Sequence, residues 1–350
     1  MKSGALLHES FEASAHRAPG KVALVGGAER LTYAEALGRV EALAGALSRD
    51  GVGRGDRVAL FLENSIEFAI GVHAALRIGA VFVPVSAQSK TEKLAYVLRD
   101  TEASAALVHA HLRSQWEPAL ERSPAVGVCL VAGASPAGGS GTRMREWPRG
   151  PAGPSPPESP SIDQDLAAII FTSGSTGAPK GVMLTHHNMM SAWRSVQVYL
   201  QLRESDVIGL VLPSAFSYGL YYLLMGLGLG ATVVLEQSFA LPAAVLGRMA
   251  GERVTVFPGV PTLFSTLLGQ RDLARFGWRS LRILTNAAAA LPGAHLAQLR
   301  AAFPETTIYS MYGLTECKRV SYLPHEDIDE RPGSVGRGMP NQDCWLVDQD

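Results

Sequence analysis

Residues 171–181 read FTSGSTGAPKG and lie between two apolar runs, Ala167–Phe171 and Val182–Thr185. The small residues Ser173, Gly174, Ser175, Thr176 and Gly177 let the backbone approach a ligand closely and offer several N–H and hydroxyl donors. Lys180 adds a cation, which completes what polyphosphate binding requires. The stretch is not of the Walker type, which needs Gly-Lys-Ser/Thr opening a helix. Here Lys180 stands between Pro179 and Gly181, and both flanking runs read as strands. The loop is therefore predicted to tip a hairpin. A Gly/Ser-rich turn is common by itself; the ordered Thr-Ser-Gly-Ser-Thr-Gly-x-Pro-Lys-Gly is not.

Outward from this loop the chain alternates strand and helix patterns. Lys21–Val25 is strand-like, and Thr32 with Glu35 three residues later forms a capping box for a helix reaching about Arg49. Arg57–Leu62 is apolar and β-rich, Ile66–Ile78 helical, and Val81–Val85 a strand that Pro84 places near an edge or end. Downstream, strands are predicted at Leu166–Phe171, Gly181–Thr185, Val254–Phe257, Leu281–Leu284, Thr307–Ser310 and Cys344–Val347. Helices are predicted at Asn188–Leu200, Pro242–Gly251, Pro261–Leu268 and Pro292–Phe303. Such βα units imply an α/β fold with a largely parallel sheet. Residues 132–161 are Gly, Pro and Ser in bulk and read as a flexible loop. The division expected is an α/β subdomain over 1–131, that loop, and a second α/β subdomain over 162–350.

At 350 residues, 47% hydrophobic and 18% charged, the chain has the makings of two well-buried cores. A formal charge of −1 gives no electrostatic reason to expect nucleic acid or an anionic membrane as partner. Cys129, Cys317 and Cys344 suggest neither disulfide framework nor zinc site, and a cytoplasmic location is expected. The opening residues lack an apolar core of the signal-peptide kind. Val207–Leu235 carries no charge until Glu236, yet Pro213 and several glycines divide it. It reads as strand, short helix and strand inside an α/β core, with no membrane span.

The run FTSGSTGAPKGVMLTH resembles the phosphate-loop signature of the adenylate-forming superfamily: acyl- and aryl-CoA ligases, peptide-synthetase adenylation domains and luciferases. The resemblance extends along the whole chain. Asn286-Ala287-Ala288-Ala289 matches the family's small-residue segment against adenine, and Tyr312-Gly313-Leu314-Thr315-Glu316 its second signature. Leu212–Gly219, LPSAFSYG, matches the segment lining the acyl pocket, and the closest likeness is to bacterial acyl-CoA ligases. The resemblance implies the family's large N-terminal domain: mainly parallel sheets flanked by helices in two pseudo-repeated subdomains.

It also implies roles. Tyr312 would stack on adenine, with Gly313 permitting the approach and Ala287, Ala288 and Ala289 beside it. Thr315 would bond the α-phosphate, and Glu316 would ligate Mg²⁺, a hard cation that takes carboxylate, phosphate and water. Thr172, Ser173, Gly174, Ser175, Thr176, Gly177 and Lys180 would hold the β- and γ-phosphates of ATP. Phe216, Ser217, Tyr218, Gly219, Pro258, Gly259, Asn286 and Leu314 would surround the acid. Many acyl-CoA ligases have His where Phe216 stands. Peptide-synthetase adenylation domains usually carry Asp where Ser217 stands, to pair the substrate ammonium. A buried ammonium without a counter-charge is costly, so an unsubstituted fatty, branched or aryl acid is expected. Tyr218, Tyr221 and Tyr222 fit pocket lining and core packing equally. His186 and His187 are read in a first helical turn, Cys317-Lys318-Arg319 as a solvated loop, and Arg331–Ser334 as a turn.

The implied reaction is activation of a carboxylic acid to acyl-AMP, then transfer to CoA or to the phosphopantetheine of an acyl carrier protein. The family continues with a ribose-binding Asp, a hinge and a mobile small domain carrying a catalytic Lys. None has a counterpart before Asp350, so the expectation is that the small domain is absent and that the isolated chain turns over poorly. Two rivals stand beside this: a non-catalytic nucleotide- or acyl-binding module, and an ordinary ATPase or kinase.

Overall fold

The computed structural model describes residues 6–133, 142–148, 150, 161–172, 179–270, 273–331 and 333–348. Two short strands come first, β1 (Val22–Gly26) and β2 (Glu29–Thr32), paired antiparallel. The next seven are β3 (Arg57–Phe61), β4 (Val81–Pro84), β5 (Ala105–His109), β6 (Val128–Ala132), β7 (Arg143–Glu146), β8 (Leu166–Thr172) and β9 (Lys180–Thr185). They form one sheet, in the order β7-β6-β5-β3-β4-β8-β9, parallel except for β8–β9. The last seven are β10 (Val207–Leu210), β11 (Thr232–Leu235), β12 (Val256–Gly259), β13 (Ile283–Asn286), β14 (Thr307–Tyr312), β15 (Ser321–Leu323) and β16 (Arg337–Gly338). These join β1 and β2 in the second sheet, β16-β15-β14-β13-β12-β10-β11-β1-β2, whose centre is parallel. The expected α/β architecture of mostly parallel sheets flanked by helices is what the chain adopts.

The strands are shared out differently from the expected division at 132–161. β8 and β9 complete the first sheet, while β1 and β2, from the start of the chain, extend the second. Nor is 132–161 wholly a loop, because β7 pairs in parallel with β6. Its reason is electrostatic: Arg143 and Arg145 both reach Asp50 at 3.2 Å, and a charged strand is what a sheet edge tolerates. The expected strand Cys344–Val347 does not form; Leu346 is fully exposed, and β-rich composition gains nothing without a neighbour. Pro84 ends β4 as expected, although β4 lies inside the sheet.

Between the sheets the helix Ile66–Arg77 is buried on every side, touching β1, β3 and β4. That explains its mostly apolar sequence, interrupted by His73 and by Glu67 and Arg77 near its ends, which no amphipathic surface helix would carry. The helix Ser217–Leu229 is likewise buried and packs on the helix Leu7–Arg17. Val207–Leu235 thus is strand, helix and strand, and among the described residues no helix is long and apolar enough to cross a membrane. The capping box at Thr32 is present: its Oγ1 accepts from Glu35 N (3.2 Å) and Glu35 Oε2 accepts from Thr32 N (2.8 Å). His186 and His187 open the helix His186–Leu200, capped by Thr185.

The helix Leu7–Arg17, which sequence reading did not find, sits on buried histidines. Leu7 N donates to His186 Nδ1 (3.2 Å), and Phe11 packs on His73 with ring centroids 4.5 Å apart. Burial pushes the imidazoles of His8 and His73 down to about 3 and that of His186 to about 4. All three are held neutral in the fold, whereas the unfolded chain protonates them below 6.5. Their stabilisation is complete above that value and is lost as pH falls toward 4. Glu67, held at about 2 by its hydrogen bond with His109, acts in the same direction but only below 4.5. The urea midpoint is expected to fall between about pH 7.5 and about pH 5, and to fall less in His73→Phe. Equal midpoints at the two values would contradict this.

Candidate functional site

In the second sheet, parallel register sets Gly259 beside Asn286 and Asn286 beside Ser310, so β12 and β13 end together and β14 runs two residues further, to Tyr312. Ligands of open α/β sheets bind outside such carboxyl ends. The strands run two residues later than sequence spacing suggested, which brings Pro258, Gly259 and Asn286 into the strand ends.

Asn286 is fully buried, and its Nδ2 donates to Ala289 O (2.9 Å), closing a turn in which Ala288 adopts φ +71°. Its Oδ1 is buried without a partner, an acceptor that a ligand amine or hydroxyl could satisfy. Ala287 is buried, while Ala288 and Ala289 are exposed. Opposite this turn β14 delivers Tyr312, whose side chain is 44% exposed, followed by Gly313 and the exposed Leu314. A methyl at Gly313 would lie 2.7 Å from Lys318 O and 2.8 Å from Arg319 Cα, so only glycine fits there. Thr315 and Glu316 occupy the turn that follows, with the Glu316 carboxylate exposed.

The two segments share a cavity of ≈ 370 Å³, lined by Ala288, Ala289, Ser310, Tyr312, Gly313 and Leu314 among others. Gly333, Ser334 and Val335 form another part of its wall, a contribution that the bare turn pattern did not signal. Ser334 N does bond Arg331 O (3.1 Å), while Pro332 lies outside the described residues. A larger cleft of ≈ 690 Å³, lined by Gly27, Asn64, Glu67 and Arg248 among others, contains none of the predicted residues. Chemistry, rather than size, selects the smaller one.

The predicted hairpin is present: β8 and β9 are antiparallel, with Thr172 paired to Lys180, whose side chain is exposed. Ser173, Gly174, Ser175, Thr176 and Gly177 lie outside the described residues. The helix after β9 reaches the second sheet, where Tyr199 Oη meets Met311 Sδ at 3.2 Å and its ring stacks on Tyr322 at 4.1 Å.

The expected acyl segment divides. Phe216 is 49% exposed, whereas Tyr218, Tyr221 and Tyr222 are core residues. The Tyr218 and Tyr222 hydroxyls converge on Thr285 Oγ1 at 2.9 and 2.7 Å. Ser217 opens the helix, and Gly219 packs under the Leu212 and Pro213 carbonyls, each 2.8 Å from where a Cβ would stand. Pro258 and Gly259 are buried, Gly259 against the Phe264 ring. One reading is overturned: Lys318 and Arg319 are not solvated but 3% and 5% exposed. The loop folds back so that Val320 N bonds Tyr312 O (2.9 Å), carrying both side chains inward.

For Mg²⁺ the donor set is one exposed carboxylate, Glu316. Among the described residues the one convergent group of three potential ligands is Glu63, His109 and His111, which excludes Glu316. A single carboxylate suits Mg²⁺ when substrate phosphates and water complete its shell. The residues fit the ion in that sense.

Fold and cleft together define an α/β protein with a cavity at the carboxyl ends of its parallel strands. The family model described as "AMP-binding enzyme" matches residues 11–350, and the chain belongs to that family. It is 32% identical over 349 residues to tyrocidine synthase 3 of Brevibacillus parabrevis, covering 98% of this chain and 5% of that protein. With 3-hydroxybenzoate–CoA ligase of Aromatoleum sp. (strain CIB) it shares 30% identity, over 93% of this chain and 62% of the ligase. The anthranilate CoA ligase AuaEII, solved with anthranoyl-AMP, superimposes with a TM-score of 0.90 at 25% identity, over 98% of this chain and 66% of that one. The chain thus spans under two thirds of the curated relatives it matches here.

Proposed function

We propose that this chain is the nucleotide- and acid-binding part of an enzyme that converts a carboxylic acid and ATP to acyl-AMP and pyrophosphate. The observation that carries the reading is the cavity joining Ala288–Ala289 to Tyr312–Leu314 beside Asn286. Tyr312 would stack on adenine, Thr315 would bond the α-phosphate, and Glu316 would hold Mg²⁺. Thr172, Lys180 and the loop residues between them would hold the outer phosphates. When bound, Mg²⁺ neutralises phosphate charge.

A carboxylate oxygen attacks the α-phosphorus; the new acyl–O–P bond forms as the bond to the β-phosphate oxygen breaks and pyrophosphate leaves. The acid is already ionised at neutral pH, so no base is required, and catalysis is positioning and charge neutralisation. The acid has a fatty, branched or aryl skeleton; the aryl-CoA ligase relatives support the last. Acyl transfer to CoA or to a carrier-protein phosphopantetheine follows, supported respectively by the CoA ligase and synthetase relatives. The isolated chain turns over slowly in this reading.

The test is ATP–pyrophosphate exchange by protein containing residues 1–350, with and without a panel of carboxylic acids. Exchange that requires an acid is the expected result. Pyrophosphate or phosphate release indifferent to any acid would make the protein an ATPase, and ATP binding by calorimetry with no exchange would make it a binding module.

A further inference from the structure

Lys318 and Arg319 are consecutive basic residues buried against Ser217, Tyr218 and Tyr221, where the acyl segment enters its helix. The Lys318 ammonium donates to the Ser217 carbonyl and lies 3.3 Å from the Tyr221 ring centroid. The Arg319 guanidinium lies 4.6 Å from the Tyr218 ring centroid, hydrogen-bonds the Tyr199 hydroxyl, and its positive charge is felt by the buried hydroxyls of Tyr218, Tyr221 and Tyr222. Its Nη1 donates to the Lys318 carbonyl (3.3 Å), and its Nε is buried with no partner. Among the described residues, no carboxylate lies within 4.0 Å of either cation.

This is an unusual burial. A lysine can relieve it by shedding its proton, and burial together with the adjacent Arg319 charge holds the Lys318 ammonium well below the ordinary lysine value. An arginine has no such escape, since guanidinium stays charged. Tyrosine faces supply part of what Arg319 lacks, but not a counter-charge. Buried charges are normally paired, and the partner missing from the protein is one that a ligand can bring. A carboxylate is the best match, because its two oxygens meet the guanidinium fork.

The location specifies which ligand. The backbone of 318–319 lies against Gly313, at the wall of the cavity, while the two side chains reach Ser217, Tyr218 and Tyr221. One loop therefore turns Thr315 and Glu316 to one side and two cations to the other. Resting on the adenylation reading above, we propose that the acid activated here carries a second carboxylate, bound by Arg319 with Lys318 beside it. The acid is then a dicarboxylic acid without an ammonium group, since an ammonium beside the Arg319 guanidinium would meet like charge and no carboxylate. Ser217 alone implies an unsubstituted acid; the burial of Lys318 and Arg319 beside it favours a second carboxylate instead.

Matched pairs of acids test it in pyrophosphate exchange: succinic against butyric, glutaric against valeric, and phthalic against benzoic. The best diacid is expected to have a KM about tenfold below its monoacid partner, the worth of one charge-assisted contact. Arg319→Met should raise the diacid KM by about that factor with kcat little changed, leave the monoacid KM unmoved or lower it, and Arg319→Lys should restore part of the preference. Wild-type exchange with monoacids but not diacids overturns this inference while leaving adenylation standing, as does an Arg319→Met variant that loses both acids equally. Absence of exchange with every acid removes both. The wild-type panel decides even where the variant fails to fold.

Discussion

Lys180→Ala is expected to lower acid-dependent pyrophosphate exchange by about ten- to a hundredfold, with the melting temperature unchanged. Lys180 starts β9 and pairs with Thr172 through the backbone, which alanine preserves, while its exposed side chain supports nothing in the core. What is lost is one charge-assisted contact to the outer phosphates, worth about 1.5–3 kcal/mol when the phosphates carry developing charge. Lys180→Arg should retain part of the rate. Exchange by the alanine variant at the wild-type rate would remove this residue, and with it the hairpin, from the phosphate site.

Arg282→Ala is expected to cost about 3 kcal/mol of stability, the lower end for breaking a buried ion pair, since the arginine is itself partly exposed. Asp206 is the buried member, 2% exposed, and takes Arg282 Nε at 2.7 Å and Nη2 at 2.5 Å. It also accepts from Thr255 Oγ1 (2.8 Å) and Arg203 N (2.6 Å). Asp206, Thr255 and Arg282 immediately precede β10, β12 and β13, so this carboxylate ties together the ends of the sheet opposite the ligand cavity. Without the guanidinium a carboxylate stays buried and uncompensated. Urea unfolding reads the loss directly, and nucleotide affinity of the folded variant should be unaltered. A loss below about 1 kcal/mol would show that Asp206 is satisfied by its neutral donors alone.

Much of the candidate site was legible because its signals are local. An apolar run on each side of FTSGSTGAPKG is enough to specify a hairpin, and β8 and β9 form it. The small residues at 286–289 and the Tyr-Gly pair at 312–313 depend on close backbone approach, which composition records directly. What escaped notice depends on the tertiary neighbourhood. Lys318 and Arg319 carry the charge pattern of a surface loop, and only the fold-back onto Gly313 buries them. β7 hides in a Gly/Pro-rich stretch because its own residues are charged, and the counter-ion that makes them tolerable, Asp50, is distant in sequence. Trp345, Leu346 and Val347 show the reverse: a β-rich string with no strand beside it remains exposed. The helix Leu7–Arg17 has a mixed, weakly apolar sequence, and its seat is made by His186 and the helix Ser217–Leu229, far along the chain.

The pairing of β1 with β11, Leu24 beside Val233, has a consequence for how the chain is made. During synthesis every strand of the first sheet, from Arg57 to Thr185, has left the ribosome before β11 exists. That sheet can close early, whereas β1 must wait, its inner edge unsatisfied, until Leu235 emerges. Loop closure over such a span is slow, and an open strand edge in the meantime invites wrong partners. β1 is thus made before every other strand of the second sheet, yet it cannot take its place beside β11 until that later strand emerges.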